Sequence, residues 1–233
     1  MGFHPARRPD PPGPVRPADE DRPRALSPAR LRTLAPCICH CRFPETEATL
    51  QTSPPLFTPA LVLREFTLAD AARVFAMSQE AGMRAWIPDQ VYADEEAARE
   101  VLRFLIAGYA APDPARRPYV LGLALRETGE LVGHVGLSPC GDGVEIGYAV
   151  EDRQQGRGLA TQAVQAFTAW GLRRFGLPEV RGVVASANRA SCAVLERAGF
   201  ALVEEGVSLL HGQERSVRRY ARSSRGLPWG SGG

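Results

Sequence analysis

Apolar positions along this chain follow two rhythms, and regular patterning begins only near Leu61. The run Leu61-Val62-Leu63-Arg64-Glu65-Phe66 predicts a short strand, and helical spacing follows over residues 69–79. A second helix is predicted over residues 94–109: Asp94 is an N-cap residue, and Glu95 and Glu96 lie at the positive end of the helix dipole. Pro112 and Pro114 lie beyond its end. Period two then governs residues 119–126, 131–138 and 144–150, which are parted by Thr128-Gly129 and by Cys140-Gly141-Asp142-Gly143. Such short turns predict an antiparallel meander. From residue 160 the period returns to 3.6, with Ala160, Ala163, Val164, Phe167 and Gly171 on one face of a helix ending near Phe175 and Gly176. A strand over residues 180–186, a helix opened by Asn188 and closed by Gly199, and strands over 200–209 and 214–221 complete the pattern.

Composition separates the two ends from this patterned region. Residues 1–59 are rich in Pro and Arg, carry no sustained period, and are expected to be a disordered tail; residues 60–222 form the predicted domain, and 223–233 a flexible tail. The acids Asp10, Asp19, Glu20 and Asp21 argue against an organelle transit peptide. Within the tail, Cys37-Ile38-Cys39-His40-Cys41 has the residue types of a zinc site but lacks a second ligand pair beyond a longer loop, so no metal is expected. With 28 basic and 26 acidic side chains the formal charge is +2, and no global field points to nucleic acid or an anionic membrane surface. No apolar run approaches the roughly 20 residues of a membrane span, and the N-terminus lacks the apolar stretch of a secretory signal. The expectation is a cytoplasmic protein with reduced thiols, its five cysteines being an odd number.

One segment carries recognisable chemistry. The strand Val144-Glu145-Ile146-Gly147-Tyr148-Ala149-Val150 feeds Glu151-Asp152-Arg153-Gln154-Gln155-Gly156-Arg157-Gly158-Leu159-Ala160-Thr161, a glycine-rich turn that opens a helix. Unpaired amides at a helix N-terminus, backed by its dipole, bind phosphate or pyrophosphate, and glycines let the ligand approach the main chain. A P-loop would need G-x-x-x-x-G-K-[ST] and a dinucleotide fold G-x-G-x-x-G, and this turn has neither.

The turn resembles the signature [QR]-x-x-G-x-[GA] of the GNAT acetyltransferase superfamily, carried here by Gln155-Gly156-Arg157-Gly158-Leu159-Ala160. A second block, Asn188-Arg189-Ala190-Ser191-Cys192-Ala193-Val194-Leu195-Glu196-Arg197-Ala198-Gly199-Phe200, resembles the helix flanking the cofactor's pantetheine arm. The Glu-Ile-Gly-Tyr strand and Asn-x-x-Ser look like the branch that includes ribosomal-protein alanine N-acetyltransferases. The resemblance implies an α/β (α+β) fold: a mixed, largely antiparallel seven-stranded sheet, splayed between its fourth and fifth strands and flanked by about four helices. It also implies acetyl-CoA as co-substrate and a primary amine, of a protein N-terminus or a small molecule, as acceptor. Main-chain groups of Tyr148, Ala149 and Val150 would pair with pantetheine, and Gln155, Gly156, Arg157, Gly158, Leu159, Ala160 and Thr161 would take the pyrophosphate. Asn188 would bond the pantetheine arm, although a helix N-cap alone also explains it. Relatives commonly form homodimers, so monomer and homodimer both stay open.

Acyl transfer needs an acceptor for the amine's proton and a donor for the leaving thiolate. Glu145 is the candidate base, sharing a strand face with Gly147 and Ala149; the alternative is a solvent-facing glutamate. Ser191 occupies the family position proposed to protonate the departing sulfur, and a first-turn capping serine is its alternative. Cys192 and His134 are read as structural, and Trp86, Ile87, Tyr92 and Tyr119 fall in or near acceptor-side segments without naming a substrate. Two rival functions stand beside this one: a non-catalytic acyl-CoA-binding module, and a transferase using another acyl-CoA.

Overall fold

In the computed structural model, which describes residues 55–224, the strands over residues 119–125 and 131–140 are mostly buried. β3 (Tyr119–Leu125), β4 (Leu131–Cys140) and β5 (Gly143–Val150) form the expected meander. Residues opposite one another in an antiparallel pair share a face, so Leu137 and Ile146 lie together, while Ser138 with Glu145, Gly136 with Gly147 and His134 with Ala149 lie on the other side. The first face packs under α4 (Leu159–Arg174), where Gly171 leaves room for the Leu137 side chain. The second receives α1 (Ala71–Ser78) and α3 (Glu95–Tyr109), with Phe66, Met77, Leu102 and Leu131 as a smaller core.

The sheet has eight strands in the order β1-β2-β3-β4-β5-β6-β8-β7, adding β1 (Leu56–Phe57), β2 (Leu61–Arg64), β6 (Glu179–Ala185), β7 (Ala201–Leu210) and β8 (Gln213–Ser223). All neighbours are antiparallel except β5 and β6, which run parallel and pair only at Glu145 and Arg181. Beyond that pair the strands part, which is the splay expected between the fourth and fifth of seven strands. The eighth strand is β1, paired through Leu56 with Leu63 and Phe57 with Val62. It lies at residues 56–57, within the segment 1–59 expected to be a disordered tail, so at least these residues belong to the sheet. A two-residue strand shows no period, and the nearby prolines Pro54, Pro55 and Pro59 read as a breaker. Gln162 of α4 anchors it, its Oε1 accepting from Thr58 Oγ1 (3.1 Å) and the Ala60 amide (3.2 Å).

α5 (Arg189–Arg197) packs on β6 and β7, and α2 (Ala81–Trp86) is a six-residue helix too short to show in the sequence pattern. Residues 1–54 and 225–233, with the Cys37, Cys39, His40 and Cys41 cluster, lie outside the described residues. Among the described residues no helix is long and apolar enough to cross a membrane.

Gly133 sets how closely β4 and β5 approach, because a methyl group there would collide with the Ala149 carbonyl. Gly133→Ala is therefore expected to cost at least about 1–3 kcal/mol, lowering the thermal unfolding midpoint by several degrees. An unchanged midpoint would mean that the two strands separate freely at this point.

Candidate active site

The end of β5 and the start of α4 are joined by a 3-10 turn, Asp152–Gln154, and two glycines in the left-handed region, Gly156 and Gly158, each at φ 76°. Gly158 is the N-cap of α4, and the first intrahelical bond is from Gln162 N–H to the Gly158 carbonyl (3.1 Å). The Leu159, Ala160 and Thr161 amides therefore have no partner within the helix. A Cβ built at Gly156 or Gly158 meets nothing within 4 Å, so there is open space at both glycines. Leu159 itself is buried and contributes only its main chain. This arrangement fits a pyrophosphate: free amides, a helix dipole and clear space coincide.

The turn is held from below. Glu151 is buried and paired with Arg73 of α1 and with Arg153 (2.8 Å), and its amide donates to the Val132 carbonyl (2.9 Å). Gln155 Nε2 donates to the Val150 carbonyl (3.0 Å) and to Asp152 (3.1 Å), and Arg157 is bonded to Gln154. Glu80, just before α2, accepts the Asp152 amide at 2.8 Å, tying the start of α2 to the turn.

The splay supplies an open strand edge. The Glu151-to-Val132 bond sets the phase of the antiparallel ladder: residues 145, 147 and 149 direct their main chain to β4, and 146, 148 and 150 direct theirs to the splay. Tyr148 and Val150 thus present main-chain groups along the opening. Ala149 turns its main chain to β4 and offers only its methyl group.

Ser191 sits on the α4–α5 side of this opening. Asn188 caps α5, its Oδ1 accepting the Ser191 amide (3.1 Å). Tyr148 Oη lies 2.7 Å from Ser191 Oγ and donates to the Ser191 carbonyl (3.0 Å). Burial pushes the Tyr148 phenol up to about 12, so it stays protonated. The tyrosine was expected only for its main chain; its hydroxyl pairing with Ser191 is a further part of the site.

Glu145 lies on the opposite face, beside Gly147, where a Cβ would again meet nothing within 4 Å. Burial raises its carboxyl above the usual glutamate range, while a hydrogen bond from the Cys140 thiol and the nearby His211 charge oppose that shift. The Glu145 side chain is partly buried. His211 stands at the tip of the β7–β8 hairpin with φ 52°, and its Nδ1 lies 2.6 Å from Asp89 Oδ2 in the 3-10 turn Pro88–Gln90 after α2. Neither His211 nor Asp89 was singled out from the sequence. The only signal is His211-Gly212 at a two-residue hairpin turn, where Asn-Gly is the usual choice.

The other candidates take structural places. His134 is driven down to about 4 by burial and is neutral near pH 7. Tyr119 is a core residue among Tyr109, Phe167, Trp170 and Phe175. Cys192 is buried in α5. Among the described residues no group of three or more His, Cys, Asp and Glu could hold a metal ion.

A model of the acetyltransferase (GNAT) domain matches residues 60–201. The uncharacterized N-acetyltransferase YoaA of Bacillus subtilis is 29% identical over 158 residues, which span 66% of this chain and 85% of YoaA. Among solved structures, Mycobacterium smegmatis RimJ in complex with CoA-disulfide superposes with a TM-score of 0.62 at 23% identity, covering 78% of this chain and 91% of RimJ. The ribosomal-protein-S5-alanine acetyltransferase of Vibrio fischeri gives 0.63 at 16% identity, covering 75% and 98%. Both likenesses concern the fold.

Proposed function

The chain belongs to the GNAT acetyltransferases, and on that premise we propose that it transfers an acetyl group from acetyl-CoA directly to a primary amine of a protein N-terminus or small molecule. One observation carries this reading: an open strand edge leads to a glycine turn with free amides, with Glu145 on one face and the Tyr148–Ser191 pair on the other. RimJ, of the same fold, is described with CoA-disulfide, which supports a CoA thioester in the splay.

The amides of Gly158 to Thr161 would bind the pyrophosphate, and Tyr148, Val150 and Asn188 the pantetheine arm. Acetyl-CoA supplies the activated acyl carbon. An amine attacks only when neutral, so Glu145 accepts its proton, directly or through a water. Raised by burial, the carboxylate is a stronger base than a glutamate in water. Ser191, beside the phenol of Tyr148, supplies a hydrogen bond and a proton to the departing sulfur, and the proton released by the amine restores its hydroxyl through solvent. Direct transfer suits the site, since the buried Cys192 has no arrangement for a covalent intermediate.

An acceptor screen that follows released CoA thiol tests the reading. The panel comprises peptides with N-terminal Ala or Ser, polyamines, aminoglycosides and amino acids, each with acetyl-, propionyl- and succinyl-CoA. Stoichiometric thiol release with a primary amine and acetyl-CoA is expected. Tight CoA binding with no release from any amine would favour a non-catalytic acyl-CoA-binding module.

A further inference from the structure

Residues 79–92 leave the end of α1 and return to it as a closed loop. Gln79 Nε2 donates to the Tyr92 carbonyl (2.8 Å) and the Tyr92 amide to Ser78 Oγ (3.3 Å), so the two ends of the segment meet. Loops closed in this way pack as units. Between the ends lie α2 and the 3-10 turn Pro88–Gln90, with Arg84 Nε donating to the Gln79 carbonyl at 3.0 Å. Met77 of α1 shares a cluster with Val120, which pairs with Gly136 as Gly136 does with Gly147, so the loop leaves from the sheet face that carries Glu145.

Beyond its base the loop is tied on both sides of the splay. On the β5 side Glu80 accepts the Asp152 amide (2.8 Å), and Gly82 lets α2 close on the turn, since a Cβ there would stand 2.8 Å from Asp152 Oδ1. On the β6 side Asp89 Oδ2 lies 2.6 Å from Nδ1 of His211, at the tip of the β7–β8 hairpin. β6 runs parallel to β5 and antiparallel to β8, so the start of β8, and the hairpin tip with it, lies at the same end of the sheet as Val150 and the glycine turn. The segment therefore crosses from one bank of the splay to the other at the end where the strands part. His211 makes its contact from a left-handed backbone (φ 52°), which is uncommon outside glycine and persists where surrounding contacts hold it.

We propose that residues 79–92 are a strap closed across the open end of the splay, with Asp89 and His211 as positioning residues whose bond fixes it over the acceptor side of the site. The inference rests on the acetyl-transfer reading above and names what holds the acceptor there. Because the strap shares the Glu145 face, an amine attacking a thioester in the splay lies beneath it. A strap held at both banks orients that amine and sheds water around it. The two ties differ in kind. Glu80 is bonded to a main-chain amide of the glycine turn, whereas Asp89 and His211 meet only as side chains, 39% and 20% exposed, and can part without disturbing a strand. The Asp89–His211 bond is thus the side that opens.

Hydrogen exchange of the full chain, read by mass spectrometry over the peptide that contains Ile87, Gln90 and Val91, tests the tie without turnover, because these amides are bonded within the strap. Asp89→Ala removes the acceptor, and His211→Gly removes the donor while easing the left-handed turn. Each should speed exchange there about tenfold, and the double variant no further than either single one. His211→Asn keeps an N–H at the Nδ1 position and tolerates the turn, so it should exchange like wild type. Unchanged exchange in both Asp89→Ala and His211→Gly would overturn the strap. With the amine found by the screen, the same two variants should raise KM for the amine about tenfold, while kcat and the calorimetric affinity for acetyl-CoA stay within about threefold of wild type. Faster exchange with an unchanged KM would leave the loop a structural element and equally overturn the proposal. Absence of wild-type turnover with every amine would instead sink the acetyl-transfer reading, and the exchange would still decide whether the tie closes the strap.

Discussion

Glu145→Gln is expected to lower turnover by roughly 10²–10⁴-fold, equivalent to about 3–5 kcal/mol of barrier, with little change in acetyl-CoA affinity. Glutamine keeps the shape of the side chain beside Gly147 and removes the charge that accepts the amine's proton. Activity of the variant should recover in part at high pH, where the acceptor amine is already neutral in solution. In the wild type, kcat/KM should fall on acidification, as Glu145 takes up a proton above the usual glutamate range. Stability should move the other way. A carboxyl whose folded pKa is raised binds its proton more tightly in the folded state, so its stabilising contribution is complete below the unfolded value and lost as pH rises through the folded one. At neutral pH the ionised Glu145 therefore costs stability, and Glu145→Gln should unfold at a higher temperature than wild type while turning over more slowly. A variant that turns over within about threefold of wild type would make Glu145 structural.

The glycine turn and the start of α5 were legible because their geometry is local. Gly156 and Gly158 must take a left-handed backbone, and Asn188 must cap a helix, so residue type and spacing together announce the turn and the start of α5. The meander and α3 were legible for the same reason, with Asp94 accepting the Ala97 amide as an N-cap should (2.8 Å). What stayed hidden depends on contacts between distant segments. Tyr148 and Ser191 are 43 positions apart, and His211 and Asp89 122 apart; no periodicity in either segment signals the meeting. Nothing local marks Glu151 as buried, yet it is held beneath the glycine turn by Arg73 from α1 and by Arg153. β1 and α2 were missed for a different reason, since two and six residues are too few to show a period.

The proposed chemistry depends on pyrophosphate binding at the glycine turn, where Gly158 is exposed as the N-cap of α4. A Cβ at Gly158 meets nothing within 4 Å, so the folded protein has room for a larger residue, at the backbone cost of a left-handed φ. A carboxylate there would face the negative pyrophosphate and repel it. Calorimetric titration of acetyl-CoA into the wild type and into Gly158→Asp therefore tests the site directly, with thermal unfolding as the check that the variant is folded. The variant is expected to bind about 100-fold or more weakly, a loss of about 2.7 kcal/mol or more, and free CoA to compete for the wild-type site. Equal affinity in a folded Gly158→Asp protein would contradict it.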